Sequence, residues 1–281
     1  MSPVKEEQTT QIEETWRKFL VTGEYTPERR MRHFFGFLPH GPRCKMCYAP
    51  FQGVGAQVVR VLFGKRPAKM NPKFCNVCEE FASRYHGGLE VEISMLFADV
   101  RGSTTLAESM PVYDFSRLID RFYRASTDVL IRNDALIDKL IGDEVTGLFV
   151  PGFAGTDHAR RAIEAGMELL RVTGHGSPDG PWVPVGVGIH TGIAYVGAVG
   201  STDGVTDITA LGDAPNVAAR LASLANAGEV LVSEEAGRTS GLVLEGLELR
   251  SLGLKGRSGP VNVWAIHSGQ SVEWMHRSPP H

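Results

Sequence analysis

Between residues 89 and 267, apolar runs of strand length alternate with amphipathic stretches of helix length. VEISMLFADV (91–100) is a nearly continuous apolar run and predicts a buried strand. Gly102 breaks it, and Thr105 with Glu108 forms a capping-box pattern that predicts a helix start. Phe115, Leu118, Ile119, Phe122, Val129 and Leu130 recur at helical spacing and predict one apolar face of a long helix. ALIDKLI and EVTGLFV flank Gly142-Asp143, which predicts a strand–turn–strand hairpin. Residues 156–173 predict a helix, VPVGVGIHTG and TDITALGD two strands, and NVAARLASLA a helix after them. GEVLVSE, LELRSLG and VNVWAIH predict three further strands. Adjacent strands mixed with helices specify an α+β fold rather than a regular parallel α/β one.

Upstream the pattern changes. Residues 10–38 predict one or two amphipathic helices, with Ile12, Trp16, Phe19 and Leu20 on one face. Residues 39–80 are rich in Gly and Pro and hold every cysteine, and Arg84-Tyr-His-Gly-Gly88 reads as a linker. The tail after Ser268 is polar, ends in SPPH and is expected to fray. The expected division is an N-terminal helical segment (1–38), a cysteine-rich module with linker (39–88), the main domain (89–267) and a tail (268–281). There is no internal repeat.

Composition sets the class. The chain has 281 residues, 42% hydrophobic and 22% charged, which fits a globular protein with a substantial core. No apolar run approaches the roughly 20 residues that span a bilayer. The polar, acidic start MSPVKEEQTTQIEE does not read as a signal peptide, so a cytoplasmic location is expected. The net charge of −3 hides an asymmetry: Arg29 to Cys78 holds ten Lys/Arg and no Asp or Glu. The rest of the chain sets 19 basic against 32 acidic residues, a net −13. A basic block suits a nucleic-acid or membrane partner, or it offsets the charge of bound thiolates. The second reading is preferred because all four cysteines lie inside the block.

Candidate chemistry begins with Asp99, which ends an apolar strand and precedes Val-Arg-Gly-Ser-Thr-Thr. Taken alone it reads as a helix-capping aspartate. A carboxylate there can also hold a divalent metal while the following turn's N–H groups hold phosphate oxygens. This is not a Walker loop, whose G-x-x-x-x-G-K-[ST] is missing. Asp143 sits in a hairpin turn, where Gly-Asp is ordinary turn chemistry. As a pair at the ends of neighbouring strands, the two would supply the hard oxygen ligands of two-metal phosphoryl chemistry, although spacing alone does not make those strands neighbours. Asn216 and Arg220 are four apart on a predicted helix and share a face, suited to a phosphate in a transition state or to plain solvation.

These pieces, in this order, resemble the class III adenylyl/guanylyl cyclase domain from about residue 91 to 267. Phe97-Ala-Asp-Val-Arg-Gly-Ser-Thr104 looks like its first metal motif and Lys139-Leu-Ile-Gly-Asp143 like its purine-lysine and second-metal motif. Gly188-Ile-His-Thr-Gly192 with Gly197 looks like its Gly-rich segment, and Thr209-Ala-Leu-Gly-Asp-Ala-Pro-Asn216-Val-Ala-Ala-Arg220 like its transition-state helix. Leu254-Lys-Gly-Arg257 resembles its phosphate-binding segment. The resemblance implies a ferredoxin-like βαβ core with antiparallel strands. It implies that Asp99, Val100 and Asp143 hold two Mg or Mn ions, and that Gly102, Ser103, Thr104 and either Lys255 or Arg257 meet the phosphates. Asn216 would position the ribose and Arg220 would neutralise the α-phosphate. In this family the metal side and the Lys/Asn/Arg side come from different subunits, which implies a head-to-tail homodimer with Val199–Ile208 as the arm.

Base choice turns on two positions. Lys139 only donates, which suits adenine N1, and the Thr209 hydroxyl can accept from the 6-amino group. Guanylyl cyclases of this family usually carry Glu and Cys or a similar pair, so ATP is the expected substrate and cyclic AMP the product. Thr209 stands where many members have Asp, and Thr can also donate. His190 is expected to be a hydrogen-bonded structural residue. The alternative is a cyclase-like domain that binds nucleotide without turning it over. A nucleic-acid binder is disfavoured by the acidic remainder of the chain and by the absence of interleaved aromatic and basic residues. The GGDEF signature of diguanylate cyclases is missing.

Cys44-Lys-Met-Cys47 and Cys75-Asn-Val-Cys78 are two CxxC pairs separated by 27 residues. Four thiolates suit tetrahedral zinc, an iron–sulfur cluster also takes four Cys, and redox-active or unmetallated thiols are the third reading. Their position just before the catalytic domain implies a regulatory input, with bracing of the dimer as the alternative.

Overall fold

The computed structural model describes residues 3–24, 26–38, 41–201, 205–253 and 259–275, and the chain falls into two compact units. The larger comprises Glu92–Phe149, Ala154–Ile193 and Gly212–His281. The smaller comprises Met1–Val91, Val150–Phe153 and Ala194–Leu211. Two long strands, β1 (Gly87–Val100) and β4 (Val185–Gly200), run through both.

In chain order, β1 leads into α5 (Ser103–Ser109) and α6 (Val112–Arg132), then the hairpin β2 (Leu136–Ile141) and β3 (Glu144–Phe149). α7 (Pro151–Ala154) and α8 (His158–Val172) precede β4, which pairs with β5 (Thr206–Leu211). α9 (Asp213–Leu224), β6 (Glu229–Ser233), α10 (Glu234–Ser240), β7 (Glu248–Gly253) and β8 (Pro260–His267) complete the order. The strands lie side by side as β2-β3-β1-β4-β6-β8-β7. β3 is antiparallel to both β1 and β2, and β8 to both β6 and β7, whereas β6 runs parallel to β4. This is the expected α+β architecture with an antiparallel-rich sheet.

The Val/Gly alternation of β4 explains its packing. Val187 and Ile189 face α8, and their methyl groups lie near Gly166. Gly186 and Gly188 face α9, where a Cβ on Gly188 would fall 2.1 Å from the Ala222 nitrogen and 2.5 Å from the Ala218 oxygen. The Ala-rich face of α9 therefore sits directly on the sheet backbone, with Val217 and Leu221 packed against Leu231, Val261, Val263 and Ala265. Each buried Val or Leu there is worth about 1.5–3 kcal/mol. The predicted face of α6 is buried at Ile119, Phe122, Val129 and Leu130, joined by Ser126.

One boundary differs from the sequence reading. α5 begins at Ser103, not at Thr105, because Gly102 adopts φ 65° and turns the strand straight into the helix with no side-chain cap. Thr105 and Glu108 consequently lie inside the helix rather than closing a capping box.

The smaller unit begins with α1 (Pro3–Arg17), which continues as a wider π turn over Lys18–Thr22, and α2 (Thr26–Phe37). Trp16, Phe19 and Leu20 are buried, as their spacing predicts. Trp16 meets Phe19 and Phe81 edge-on, and its indole N–H donates to the Tyr85 carbonyl at 2.9 Å. The Gly/Pro-rich stretch holds two helices that its composition conceals, α3 (Gly53–Phe63) and α4 (Asn76–Arg84). The expected linker shrinks to Tyr85–His86, because α4 runs to Arg84 and β1 starts at Gly87. Among the described residues, no helix is long and apolar enough to cross a membrane.

Candidate active site

Asp99 and Asp143 are far apart in sequence, and sheet pairing brings them together. Asp99 lies opposite Glu144 in the β1–β3 register, and the Val100 N–H donates to the Asp143 carbonyl at 3.1 Å. The strands whose adjacency spacing could not establish are neighbours. Gly142 and Asp143 form the β2–β3 turn, braced by the Tyr123 hydroxyl, which donates to the Gly142 carbonyl at 2.8 Å.

Two residues unremarked in the sequence belong to this mouth. Glu144 puts a third carboxylate beside the pair. Arg101 forms an ion pair with Asp99 and donates to the Ser223 carbonyl at 2.8 Å, linking the acidic mouth to the last turn of α9. Glu144 directly follows Asp143 and Arg101 stands two residues after Asp99, and that proximity was the available signal. Partial burial pushes the Asp99 carboxyl above its ordinary pKa; Arg101 opposes the shift and the charge of Asp143 reinforces it. Burial raises Glu144 as well, with Asp99 adding to it. Burial also raises Tyr123, with Asp143 contributing. Three carboxylates stand together here, with Arg101 on Asp99 as their one ion pair among the described residues, an arrangement that a bound cation would relieve. The Val100 side chain is a hydrocarbon, so only its main-chain carbonyl could join Asp99 and Asp143 as a metal ligand. The donor set suits hard divalent cations.

Gly102 and Thr104 are exposed and Ser103 is half-buried at the start of α5. Lys139 lies on β2 opposite Thr146, just past a bulge at Asp138 that resets the strand's alternation. Its charge lowers the Glu144 pKa, a lesser influence than burial. Asn216 and Arg220 share a face of α9, with Asn216 exposed and its amide donating to the Gly212 carbonyl at 3.0 Å. Thr209, in the smaller unit, is half-buried on β5 opposite Gly197. Lys255 and Arg257 lie outside the described residues, as do 202–204 of the expected arm. His190 is buried, with Nδ1 2.8 Å from the Ser233 hydroxyl, the structural role expected of it. A cavity of about 560 Å³ lined by Met167, Arg171, His175 and His267 contains none of the predicted site residues.

In the smaller unit all four cysteines are buried and unbridged, with their sulfurs within 4.8 Å of one another. Lys65 Nζ stands 3.7 Å from the Cys47 sulfur. Burial opposes the Lys65 charge, but the four neighbouring sulfurs, Cys47 foremost, outweigh it and raise its pKa.

Comparison with known proteins identifies the family. Residues 89–267 match the adenylate and guanylate cyclase catalytic domain. An adenylate cyclase of Anabaena cylindrica is 29% identical over 186 residues, covering 62% of this chain and 36% of that protein. An adenylate cyclase of Mycobacterium bovis is 33% identical over 148 residues, covering 51% of this chain and 32% of that protein. The chain thus spans about a third of the length of these two relatives. Among solved structures, the guanylyl cyclase Cya2 aligns with a TM-score of 0.58 at 25% identity, over 65% of this chain and 94% of that one. The adenylyl cyclase CyaB from P. aeruginosa aligns with a TM-score of 0.55 at 25% identity, over 64% of this chain and 96% of that one. With nearly two thirds of its length matched by the family and the acidic pair assembled at adjacent strand ends, the chain belongs to the class III adenylate and guanylate cyclase catalytic-domain family.

Proposed function

We propose that this protein is an adenylyl cyclase that converts ATP to 3′,5′-cyclic AMP and pyrophosphate at sites formed between two head-to-tail copies of the chain. The observation that carries the reading is the convergence of half-buried Asp99 and Asp143, with Glu144 beside them, at one strand edge. Asp99, Asp143 and the Val100 carbonyl would hold two Mg or Mn ions, which supply Lewis acidity at the ribose 3′-oxygen and the triphosphate.

The remaining parts follow from side-chain chemistry. Lys139 donates to adenine N1, and Thr209 accepts from the 6-amino group. Asn216 holds the ribose so that its 3′-oxygen lies in line with the α-phosphorus. As that oxygen attacks, its hydroxyl proton passes to solvent, the new P–O bond forms, the bond to the bridging oxygen of the β-phosphate breaks, and pyrophosphate leaves with the electron pair. Arg220 stabilises the charge that grows on the α-phosphate oxygens. The main-chain N–H groups of Gly102, Ser103 and Thr104 contact the triphosphate, aided by Lys255 or Arg257. α5 has only seven residues, so these contacts rely on the turn rather than on a helix dipole. The cysteine module is the regulatory input to this reaction.

The test is product formation by the purified chain with Mn, offered ATP and GTP separately, beside Asp99→Ala. Cyclic AMP from ATP, abolished by the substitution, supports the reading. Cyclic GMP as the main product refutes the base assignment. Nucleotide binding with no cyclic product supports a silent binding module instead.

A further inference from the structure

We propose that Cys44, Cys47, Cys75 and Cys78 enclose one tetrahedral zinc-type ion, and that this ion fastens the loops gripping β5, the strand that carries Thr209. The metal site stands on the thiols alone; the consequence for Thr209 rests on the base-recognition role proposed above.

The spacing selects the kind of site. Thiolates about 2.3 Å from one ion stand on tetrahedron edges of about 3.8 Å. The Cys47 and Cys75 sulfurs are 3.7 Å apart, and no pair among the four exceeds 4.8 Å. An iron–sulfur cluster distributes its thiolates over different irons and spreads them wider. A disulfide requires about 2.05 Å. The four cysteines are at most 4% exposed, so no coordination position is open to substrate and the site is of the closed, structural kind.

The local backbone is built for metal. Cys44 and Cys47 flank a tight turn in which the Tyr48 N–H donates to the Cys44 carbonyl and the Cys44 N–H to the Ala49 carbonyl, both at 2.9 Å. Cys75 immediately precedes α4, and Cys78 lies in its first turn. The Cys75 N–H donates to the Cys44 sulfur at 3.3 Å, a contact that favours thiolate. Four thiolates around a divalent ion leave a charge of about −2. Lys65, only 8% exposed and beside Cys47, offsets part of it. A buried ammonium without an anion would be costly.

The loops that carry the cysteines also hold β5. Lys45, between the first two cysteines and 8% exposed, pairs with Asp207 at 2.6 Å and donates to the Ile208 carbonyl at 3.2 Å. The Asn71 amide donates to the Thr206 carbonyl at 3.1 Å. The Lys45 N–H donates to the Lys73 carbonyl at 2.9 Å, tying the loop of the first cysteine pair to the segment that leads into the second. β5 is therefore held at three successive residues, ending one short of Thr209. Without the ion, four crowded buried thiols must repack, and Lys45 and Asn71 lose the frame that aims them.

The experiment uses the full chain as purified. Elemental analysis with an acid-labile sulfide assay is expected to give one zinc per chain and no sulfide. Iron with sulfide, or no metal with four titratable thiols, overturns the site. Hydrogen exchange then reads β5 directly. The amides of 207–209 are expected to exchange roughly tenfold faster after zinc is stripped with a mercurial and chelator, the scale of losing one charge-assisted hydrogen bond. Cysteine variants can fail to fold, so Lys45→Met provides the second arm. It is expected to retain zinc, show the same faster exchange, and raise KM for ATP more than it changes kcat. Unchanged exchange in both the stripped protein and Lys45→Met overturns the coupling. Absence of cyclic product from zinc-loaded wild type refutes the cyclase reading and leaves the metal and exchange results standing.

Discussion

The larger unit contains two acidic clusters that resemble each other in composition and differ in electrostatics. Asp99, Asp143 and Glu144 meet at the β1–β3 edge. Glu229, Glu248 and His267 meet on the neighbouring strands β6, β7 and β8. In the second cluster Arg250 spans both acids, bonding Glu229 at 2.6 and 3.0 Å and Glu248 twice at 2.8 Å. Burial works against the Glu229 charge, yet the hydrogen bonds from Arg250 and Asn226 hold its pKa below the ordinary carboxylate value. Those from Arg250 bring Glu248 down to about 2. At the first cluster burial wins, and Asp99 and Glu144 are raised despite Arg101 and Lys139. Proximity of acids therefore does not define a cation site. A guanidinium that satisfies both carboxylates makes a strut; carboxylates left with surplus charge make a binding mouth.

The comparison breaks most sharply on activity. Asp143→Ala is expected to lower cyclic nucleotide formation on the order of 10²–10³-fold, while Glu248→Gln leaves it within about twofold. A turnover assay of the two variants under one set of conditions decides the matter. If Glu248→Gln were the damaging change, the roles assigned to the clusters would be reversed. A further test asks whether the mouth depends on α9 being seated. Gly188→Val places a side chain into the α9 backbone and is expected to cost about 3 kcal/mol in a denaturant melt, because main chain cannot give way as a flexible side chain can.

Stability separates the clusters next. Glu229→Gln removes a buried acid from its guanidinium and is expected to cost about 2 kcal/mol. Asp143→Asn in metal-free protein is expected to leave stability unchanged or raised, since it removes a repulsive charge. The pH profile follows from the signs. Because the Glu229 pKa is depressed on folding, its contribution is present above the ordinary carboxylate range and is lost as pH falls below about 4. Glu229→Gln should flatten that acid limb in thermal melts at successive pH values. The smallest effect is expected at Arg84, whose pair with Glu80 is exposed at the surface: Arg84→Ala should stay within about 0.5 kcal/mol.

Legibility in the sequence followed the range of the interactions. The hairpin around Gly142-Asp143, the apolar faces of α1 and α6, and the motif residues were readable because period and turn chemistry are local. The helices α3 and α4 escaped notice because their Gly, Pro and Cys content carries a loop signature, while the packing that makes them helical comes from elsewhere in the unit. The approach of Glu144 to Asp99 could not be placed, since it depends on the β1–β3 register, nor could the bond from Arg101 to the Ser223 carbonyl, which depends on where α9 packs. The start of α5 was misjudged because a capping pattern at Thr105 competed with a positive-φ glycine at Gly102, and the backbone turn prevailed.

By itself the sequence determined the chemistry available: hard carboxylates, a donor-only lysine, an Asn/Arg helix face and four thiols in two matched pairs. Side-chain identity settles which charges and donors exist, and near-neighbour spacing settles which of them share a turn or a helix face. Only the tertiary structure decided which groups meet. The pairing of β1 with β3 made two distant aspartates neighbours, Arg250 turned another acidic cluster into a strut, and residues 194–211, although paired into the sheet, grouped with the cysteine module in one compact unit. Those outcomes depend on register, burial and long-range closure, which are properties of the folded chain and not of any stretch of it.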